Sequence, residues 1–278
     1  NLPSTRHKLA KYLGDTKTNA TRGLVWSYAA LGDMPPRDVA AQLTAKMPNC
    51  AAFLFCGHGY GGAYLESAVA SNFIMPMKEI TSRFDGSVRL VFGSSGKLYA
   101  QIVNGAPYDL FLSADQDKPK NLYNQKYTNY KPFTYAIGRL ALYSANPKFF
   151  PMNKNTLFNG LSIAIANPAL APYGSASIDV LNNLSRGNKP YSKLIMGENI
   201  TQVFSFTSSG NTDLGFVALS QVIQKEKKNY WLIPIRYHNP IKQDAIVLKS
   251  DANCNRFVKY MKSEDVKLVL KSYGYLWN

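Results

Sequence analysis

Gly93-Ser94-Ser95-Gly96-Lys97-Leu98-Tyr99-Ala100-Gln101-Ile102, continuing through Asn104-Gly105-Ala106-Pro107-Tyr108-Asp109-Leu110-Phe111-Leu112-Ser113-Ala114-Asp115, sets the class of the whole chain. A short apolar run, Arg89–Phe92, leads into it and reads as a strand. Small, turn-forming residues follow, then Leu98, Ile102 and Val103 at helical spacing, then a second strand-like run at Leu110–Leu112. Strand, tight turn, amphipathic helix and strand make the repeating unit of an α/β protein.

The same alternation extends in both directions. Upstream, Ala68–Ala70 ends a strand, and Phe73, Met77, Ile80 and Phe84 share a helical face. Downstream, Leu161–Ala166, Phe216–Leu219, Leu232–Ile235 and Ala245–Leu248 read as strands. Ser175–Leu184, Asn199–Phe206, Phe257–Met261 and Val266–Tyr273 read as helices, the last stopping at Gly274 as its C-cap. Four junctions place small or capping residues at the head of a helix: Ser71-Asn72, Ser94-Ser95-Gly96, Pro172-Tyr173-Gly174 and Glu198-Asn199-Ile200. Such ends present free backbone N–H groups and the positive pole of the helix dipole, so they bind anions without a cationic side chain. In open α/β sheets they lie at the carboxyl edge of the strands, where ligands bind. Asn199 with Gln202 three residues on has the form of a capping-box variant.

The 278 residues are enough for a sizeable core, and no apolar run is long enough to cross a bilayer as a helix. Lysine and arginine number 32 against 17 acidic residues. Seven basic and three acidic side chains fall in residues 1–63, leaving 25 against 14 beyond, so the excess is spread along the chain. A nucleic-acid binder concentrates its charge in one stripe, so no nucleic-acid partner is expected. Lysines 225, 227 and 228 beside Glu226 read as a solvated loop. Three cysteines (Cys50, Cys56, Cys254) with no C-x-x-C pair, and three separated histidines (His7, His58, His238), fit neither a disulfide framework nor a site for a free metal cation.

Residues 1–63 differ in character from the rest. They hold one helix-like stretch, Pro36–Lys46, and an apolar run, Cys50–Cys56, at the lower limit for an export signal. The segment is read as a degenerate export signal or a misread region. Gly57-His58-Gly59-Tyr60-Gly61-Gly62 satisfies G-x-G-x-x-G but lacks the following helix and acidic residue of a dinucleotide site, so it reads as a flexible loop. Ser94 and Lys97 fit S-x-x-K, yet S-D-N and K-T-G are absent, and no G-x-S-x-G elbow occurs. A catalytic serine is not expected.

The long stretch around Gly93–Asp115 closely resembles the GSSGKL…QI…GAP-x-D-x-F-x-SAD signature of molybdate ABC transporter substrate-binding proteins. Ala70-Ser71-Asn72-Phe73 is similar to their first ligand loop. Ala166-Asn167-Pro168 through Ala171-Pro172-Tyr173-Gly174 matches their ANP-x-x-APYG element. Leu214-Gly215-Phe216-Val217-Ala218 and Pro240-Ile241-Lys242-Gln243-Asp244-Ala245 continue the likeness, which covers roughly Leu65–Trp277.

The resemblance implies a type 2 periplasmic-binding-protein fold, two α/β lobes joined by two crossing strands. The crossings fall near Tyr135–Ser144 and Ile235–Leu248, giving lobe one as 64–138 plus 237–278 and lobe two as 139–236. It implies that Ser71 and Ser95 donate hydroxyl and backbone N–H groups to a bound oxyanion, and that Tyr173 and Ile200 donate main-chain N–H groups. One departure stands out: relatives can carry a tyrosine donor at the position of Ala218, where alanine has none, leaving Asn72, Asn199 or Ser220 as replacements. The implied ligand is molybdate or tungstate, with no cofactor, no catalysis, a membrane permease as partner, a monomeric state and a periplasmic location. The alternatives are sulfate or a small organic anion as ligand, a serine-dependent hydrolase, and a DNA-binding regulator with an oxyanion-sensing lobe pair.

Overall fold

The computed structural model describes residues 64–185 and 191–277, and the apolar run Cys50–Cys56, the glycine loop Gly57–Gly62 and Pro36–Lys46 lie outside them. Among the described residues ten strands form two five-stranded sheets. The first contains β1 (Leu65–Ala70), β2 (Val88–Gly93), β3 (Leu110–Leu112), β4 (Phe133–Gly138) and β10 (Ile241–Val247), in the order β2-β1-β3-β10-β4. The second contains β5 (Leu140–Tyr143), β6 (Ser162–Ala166), β7 (Lys193–Gly197), β8 (Leu214–Ala218) and β9 (Tyr230–Leu232), in the order β7-β6-β8-β5-β9. In each sheet three strands are parallel, and the fourth in the order is antiparallel to both its neighbours. Strands of the first sheet come from both sides of the second in sequence. The chain passes between sheets twice, from Gly138 to Leu140 and between Leu232 and Ile241.

Strand periodicity explains the layering of the first sheet. Side chains alternate across a strand, so Leu65 and Val69 of β1, Leu110 and Leu112 of β3, and Ala245 and Val247 of β10 face one side. Ala68, Phe111 and Ile246 face the other. The first side is covered by α1 (Ile74–Arg83), through Met77 and Ile80, and by α7 (Ala252–Tyr260) and α8 (Glu264–Ser272), through Phe257, Val266, Val269 and Leu270. The second is covered by α2 (Ser95–Val103), through Leu98 and Ile102, and by α3 (Asp117–Asn124), through Leu122. Phe111 is wholly buried between these layers; its truncation to alanine costs about 3–5 kcal/mol. The second sheet packs against α4 (Pro172–Ser185), α5 (Ile200–Ser208) and α6 (Leu219–Val222) around Ile163, Ile165, Phe216 and Val217.

Local signals place the helix starts. Asp251 accepts from the N–H of Cys254 at 2.7 Å, and Ser263 heads α8 with Glu264 and Asp265 in its first turn, favourable to the helix dipole. Asn199 accepts from Thr201 and Gln202 N–H at 3.0 Å each. Gln202 reaches back to the N–H of Glu198 at 2.6 Å, one residue earlier than in a standard capping box.

Several elements depart from the expected bounds. β1 begins at Leu65, so the stretch before Ala68 belongs to the strand despite its polar Glu66 and Ser67. The chain enters α1 through a 3-10 turn, Ser71–Phe73. Ile235, expected to end a strand, lies in a 3-10 turn, Ile235–Tyr237. Lysines 227 and 228 stand on an exposed 3-10 turn ahead of β9. β7 and α3 have no counterpart in the sequence reading. β7 is an edge strand with Met196 and Lys193 exposed, and α3 carries only two buried residues, Pro119 and Leu122. Little burial leaves little periodicity to read.

Candidate functional site

The four junctions singled out from the sequence converge on one small cavity. It is lined by Ala70, Ser71 and Asn72 after β1, by Gly93, Ser94 and Ser95 after β2, by Ala114 after β3, by Ala171, Pro172 and Tyr173 after β6, and by Ile200 after β7. Every contributor therefore sits at the carboxyl end of a parallel strand, the edge where open α/β sheets bind ligands. The cavity volume is about 10 Å³, far below the roughly 300–1,000 Å³ of pockets for larger organic ligands. No charged side chain lines it.

The lining supplies donors. Ser95 and Ile200 are the first residues of α2 and α5, and Tyr173 is the second of α4. First-turn N–H groups have no acceptor within their own helix. The Ser95 hydroxyl accepts from the N–H of Ala114 at 2.9 Å. That bond occupies a lone pair and leaves the hydroxyl proton to be donated elsewhere. Asp115 holds the turn that presents Ala114: its carboxylate accepts from Lys118 N–H at 3.0 Å and pairs with the Lys118 ammonium at 2.5 Å. Gly174 is required at the head of α4, because a Cβ there would lie 2.2 Å from the carbonyl oxygen of Ala166. Only glycine lets that helix start so close to the end of β6.

Behind Asn72 lies a buried polar network linking elements of both sheets. The Asn72 amide contacts Gln243 at 2.9 Å and the Tyr275 hydroxyl at 3.0 Å. Tyr275 donates to the carbonyl of Asn72 at 2.8 Å, and the Ser220 hydroxyl donates to the same carbonyl at 2.9 Å. Gln243 also reaches Tyr173 at 3.3 Å and Tyr135 at 2.9 Å. Burial pushes the Tyr275 phenol up to about 12 and those of Tyr135 and Tyr173 well above their ordinary value, so all three stay protonated and neutral. Two more bonds cross between the sheets' layers: Gly96 N–H to the carbonyl of Leu170 at 2.8 Å, and the Thr201 hydroxyl to the carbonyl of Ser71 at 3.2 Å. At the surface Lys97 pairs with Glu198 at 2.6 Å; the ammonium of the S-x-x-K pattern is thus engaged with a carboxylate, not with Ser94.

Of the six residues proposed from the sequence, Ser71, Asn72, Ser95, Tyr173 and Ile200 line the cavity together, and Ala218 does not. Ala218 ends β8, fully buried, with its N–H donated to Gln221 at 3.0 Å. All three replacement side chains are engaged elsewhere: Asn199 in capping α5, Ser220 on the Asn72 carbonyl, and the Asn72 amide on Gln243 and Tyr275. Asn72 alone of the three lines the cavity. Ser94, named from the sequence only as part of its junction, and Ala114, which was not singled out, also line it. Tyr275 carried no signal in the sequence, since nothing local marks a residue next to the terminus as the neighbour of Asn72.

The family model for bacterial extracellular solute-binding proteins matches residues 65–276. The molybdate-binding protein ModA of Rhodobacter capsulatus is 40% identical over 219 residues, covering 76% of this chain and 87% of the relative. ModA of Azotobacter vinelandii is 40% identical over 228 residues, covering 77% of this chain and 90% of the relative. The solved periplasmic molybdate-binding protein of Azotobacter vinelandii superposes with a TM-score of 0.71 at 38% identity, covering 77% of this chain and 99% of that structure.

Proposed function

This chain belongs to the bacterial extracellular solute-binding protein family, and from that membership we propose that it captures molybdate or tungstate in the periplasm for an ABC importer. The observation that carries the reading is the convergence of four strand-to-helix junctions on one small cavity lined by neutral groups. A tetrahedral dianion with four acceptor oxygens and no proton to give matches a lining of donors. Hydrogen bonds to a charged acceptor are worth roughly 1.5–3 kcal/mol each, so several of them hold the ion without a countercharge.

The lobes are residues 64–138 plus 237–278 and residues 139–236. Ser71, Asn72 and Ser95 belong to the first, Tyr173 and Ile200 to the second. The anion is complete in its contacts only when both lobes meet on it. Binding then favours the closed state by the difference in affinity between the two arrangements. The permease recognises that closed form. Cavity size, not charge, separates molybdate and tungstate from sulfate, since all three are acceptor-only dianions. Protonated phosphate is disfavoured because a lining of donors gives its O–H no partner. Ala218 takes no part in contacting the ion, and the Asn72 side-chain amide, engaged with Gln243 and Tyr275, does not replace its donor.

Titration calorimetry of the full chain with molybdate, tungstate and sulfate tests this. Saturable one-to-one binding of the first two, with sulfate far weaker, is the expected result. Preference for sulfate would reassign the cargo, and silence toward all three from folded protein would overturn the oxyanion reading.

A further inference from the structure

The Ser94 hydroxyl is a buried polar group for which the fold supplies no use. Ser94 is 2% exposed and lines the cavity, and its Oγ has no hydrogen-bond partner. It occupies the N-cap position of α2, where a serine normally accepts from the N–H of the second or third helical residue, and no such bond is made. One of the two usual donors is taken across the cleft: the N–H of Gly96, the second residue of α2, donates to the carbonyl of Leu170 at 2.8 Å. The carbonyl of Ser94 does enter the helix, accepting from Leu98 N–H at 3.0 Å, so the residue caps with its backbone and not with its side chain. A buried hydroxyl left unpaired is unfavourable, and such groups in folded proteins generally meet a ligand, an ion or a water.

We propose that Ser94 is a specificity-determining residue of the anion site, its hydroxyl donating to a bound tetrahedral oxyanion beside that of Ser95. The proposal rests on the oxyanion reading above. The two neighbouring hydroxyls differ in how they are prepared. Ser95 is oriented by the N–H of Ala114, whereas Ser94 is held by burial alone and turns to suit the ion.

The test is titration calorimetry of wild type and Ser94→Ala with sodium molybdate, together with thermal denaturation of both proteins without ligand. The expected result is a molybdate Kd raised about tenfold or more in Ser94→Ala, with ligand-free melting unchanged or slightly higher because an unpaired hydroxyl has been removed. A serine acting only as a helix cap gives the opposite pair, lower melting with unchanged Kd, and that result overturns the inference. Wild type that binds molybdate while Ser94→Ala binds equally well refutes the role of Ser94 and leaves the oxyanion reading standing. Wild type that binds neither molybdate nor tungstate removes the premise, and the inference falls with it.

Discussion

Gly96→Ala isolates closure from the rest of binding. Gly96 sits in the first turn of α2, and a Cβ built there would lie 3.0 Å from both the Cα and the carbonyl oxygen of Leu170, and 3.2 Å from its Cδ2. Two of the three neighbours are backbone, in the segment between β6 and α4, so no side-chain rotation relieves the approach. The Gly96 N–H to Leu170 carbonyl bond, 2.8 Å long, would have to lengthen to make room. Overpacking of this kind costs about 1–3 kcal/mol and a weakened hydrogen bond about 1 kcal/mol more. Partial relaxation of the interface brings the net closure penalty to about 1–3 kcal/mol, or roughly 5- to 150-fold in molybdate affinity. In the proposed open state Gly96 and Leu170 are apart, so the methyl makes no contact with Leu170. There the substitution favours α2 by about 0.5–1 kcal/mol, because alanine is the better helix former. The variant is therefore expected to bind molybdate more weakly while melting at the same or a slightly higher temperature without ligand. Calorimetry measures the first and a thermal scan the second, and small-angle scattering with and without molybdate reports a smaller contraction in the variant. A Kd within about twofold of wild type would refute the reasoning, since the bound state could not then bring Gly96 and Leu170 together as they stand.

Ser95→Ala, which deletes the hydroxyl positioned by Ala114 N–H, should raise the molybdate Kd at least about tenfold; an unchanged Kd removes Ser95 from the site. No carboxylate, lysine or histidine lines the cavity, so affinity should be flat between about pH 6 and 9 once protonation of the anion is allowed for. Tyr275 is raised from 10.0 to about 12 in the folded protein, so its contribution to stability is complete below the unfolded value and is lost as pH rises from there through the folded one. Melting should accordingly fall only under strongly alkaline conditions, and Tyr275→Phe should flatten part of that fall in scans across the range. The Lys97–Glu198 pair spans the cleft but is about half exposed on both sides; exposed pairs contribute about 1 kcal/mol or less, so Lys97→Met should change Kd less than about fivefold, and a larger loss measured by calorimetry would mean the pair is desolvated on closure. Cys254 is buried with its thiol pushed up to about 11 by desolvation, so a thiol reagent should label it only after unfolding.

Much of the architecture was legible because short apolar runs mark strands and a single apolar stripe at helical spacing marks helices. β2, β3, β6, α2, α4 and α5 fall within a few residues of where Arg89–Phe92, Leu110–Leu112, Leu161–Ala166 and the helical spacings put them. The four junctions were legible for the same local reason: the residue types that leave helix N–H groups free are read one helix at a time. β7 and α3 were not, since an edge strand exposing Met196 and a helix burying only Pro119 and Leu122 carry almost no pattern.

The sequence by itself determined which segments become strands and helices, and that four helix starts of anion-binding type exist. Only the tertiary structure decided which of them meet, and what stands behind them. Ser71 and Tyr173 are separated by about a hundred residues, and Asn72 and Tyr275 by 203. Their encounter depends on two passages of chain between the sheets and on the lobes packing at Gly96 and Leu170. The same tertiary structure leaves Ala218 outside the cavity lining and the Ser94 hydroxyl without its usual helix partner. Such outcomes are properties of a closed interface between distant segments, and short-range propensity carries no information about them.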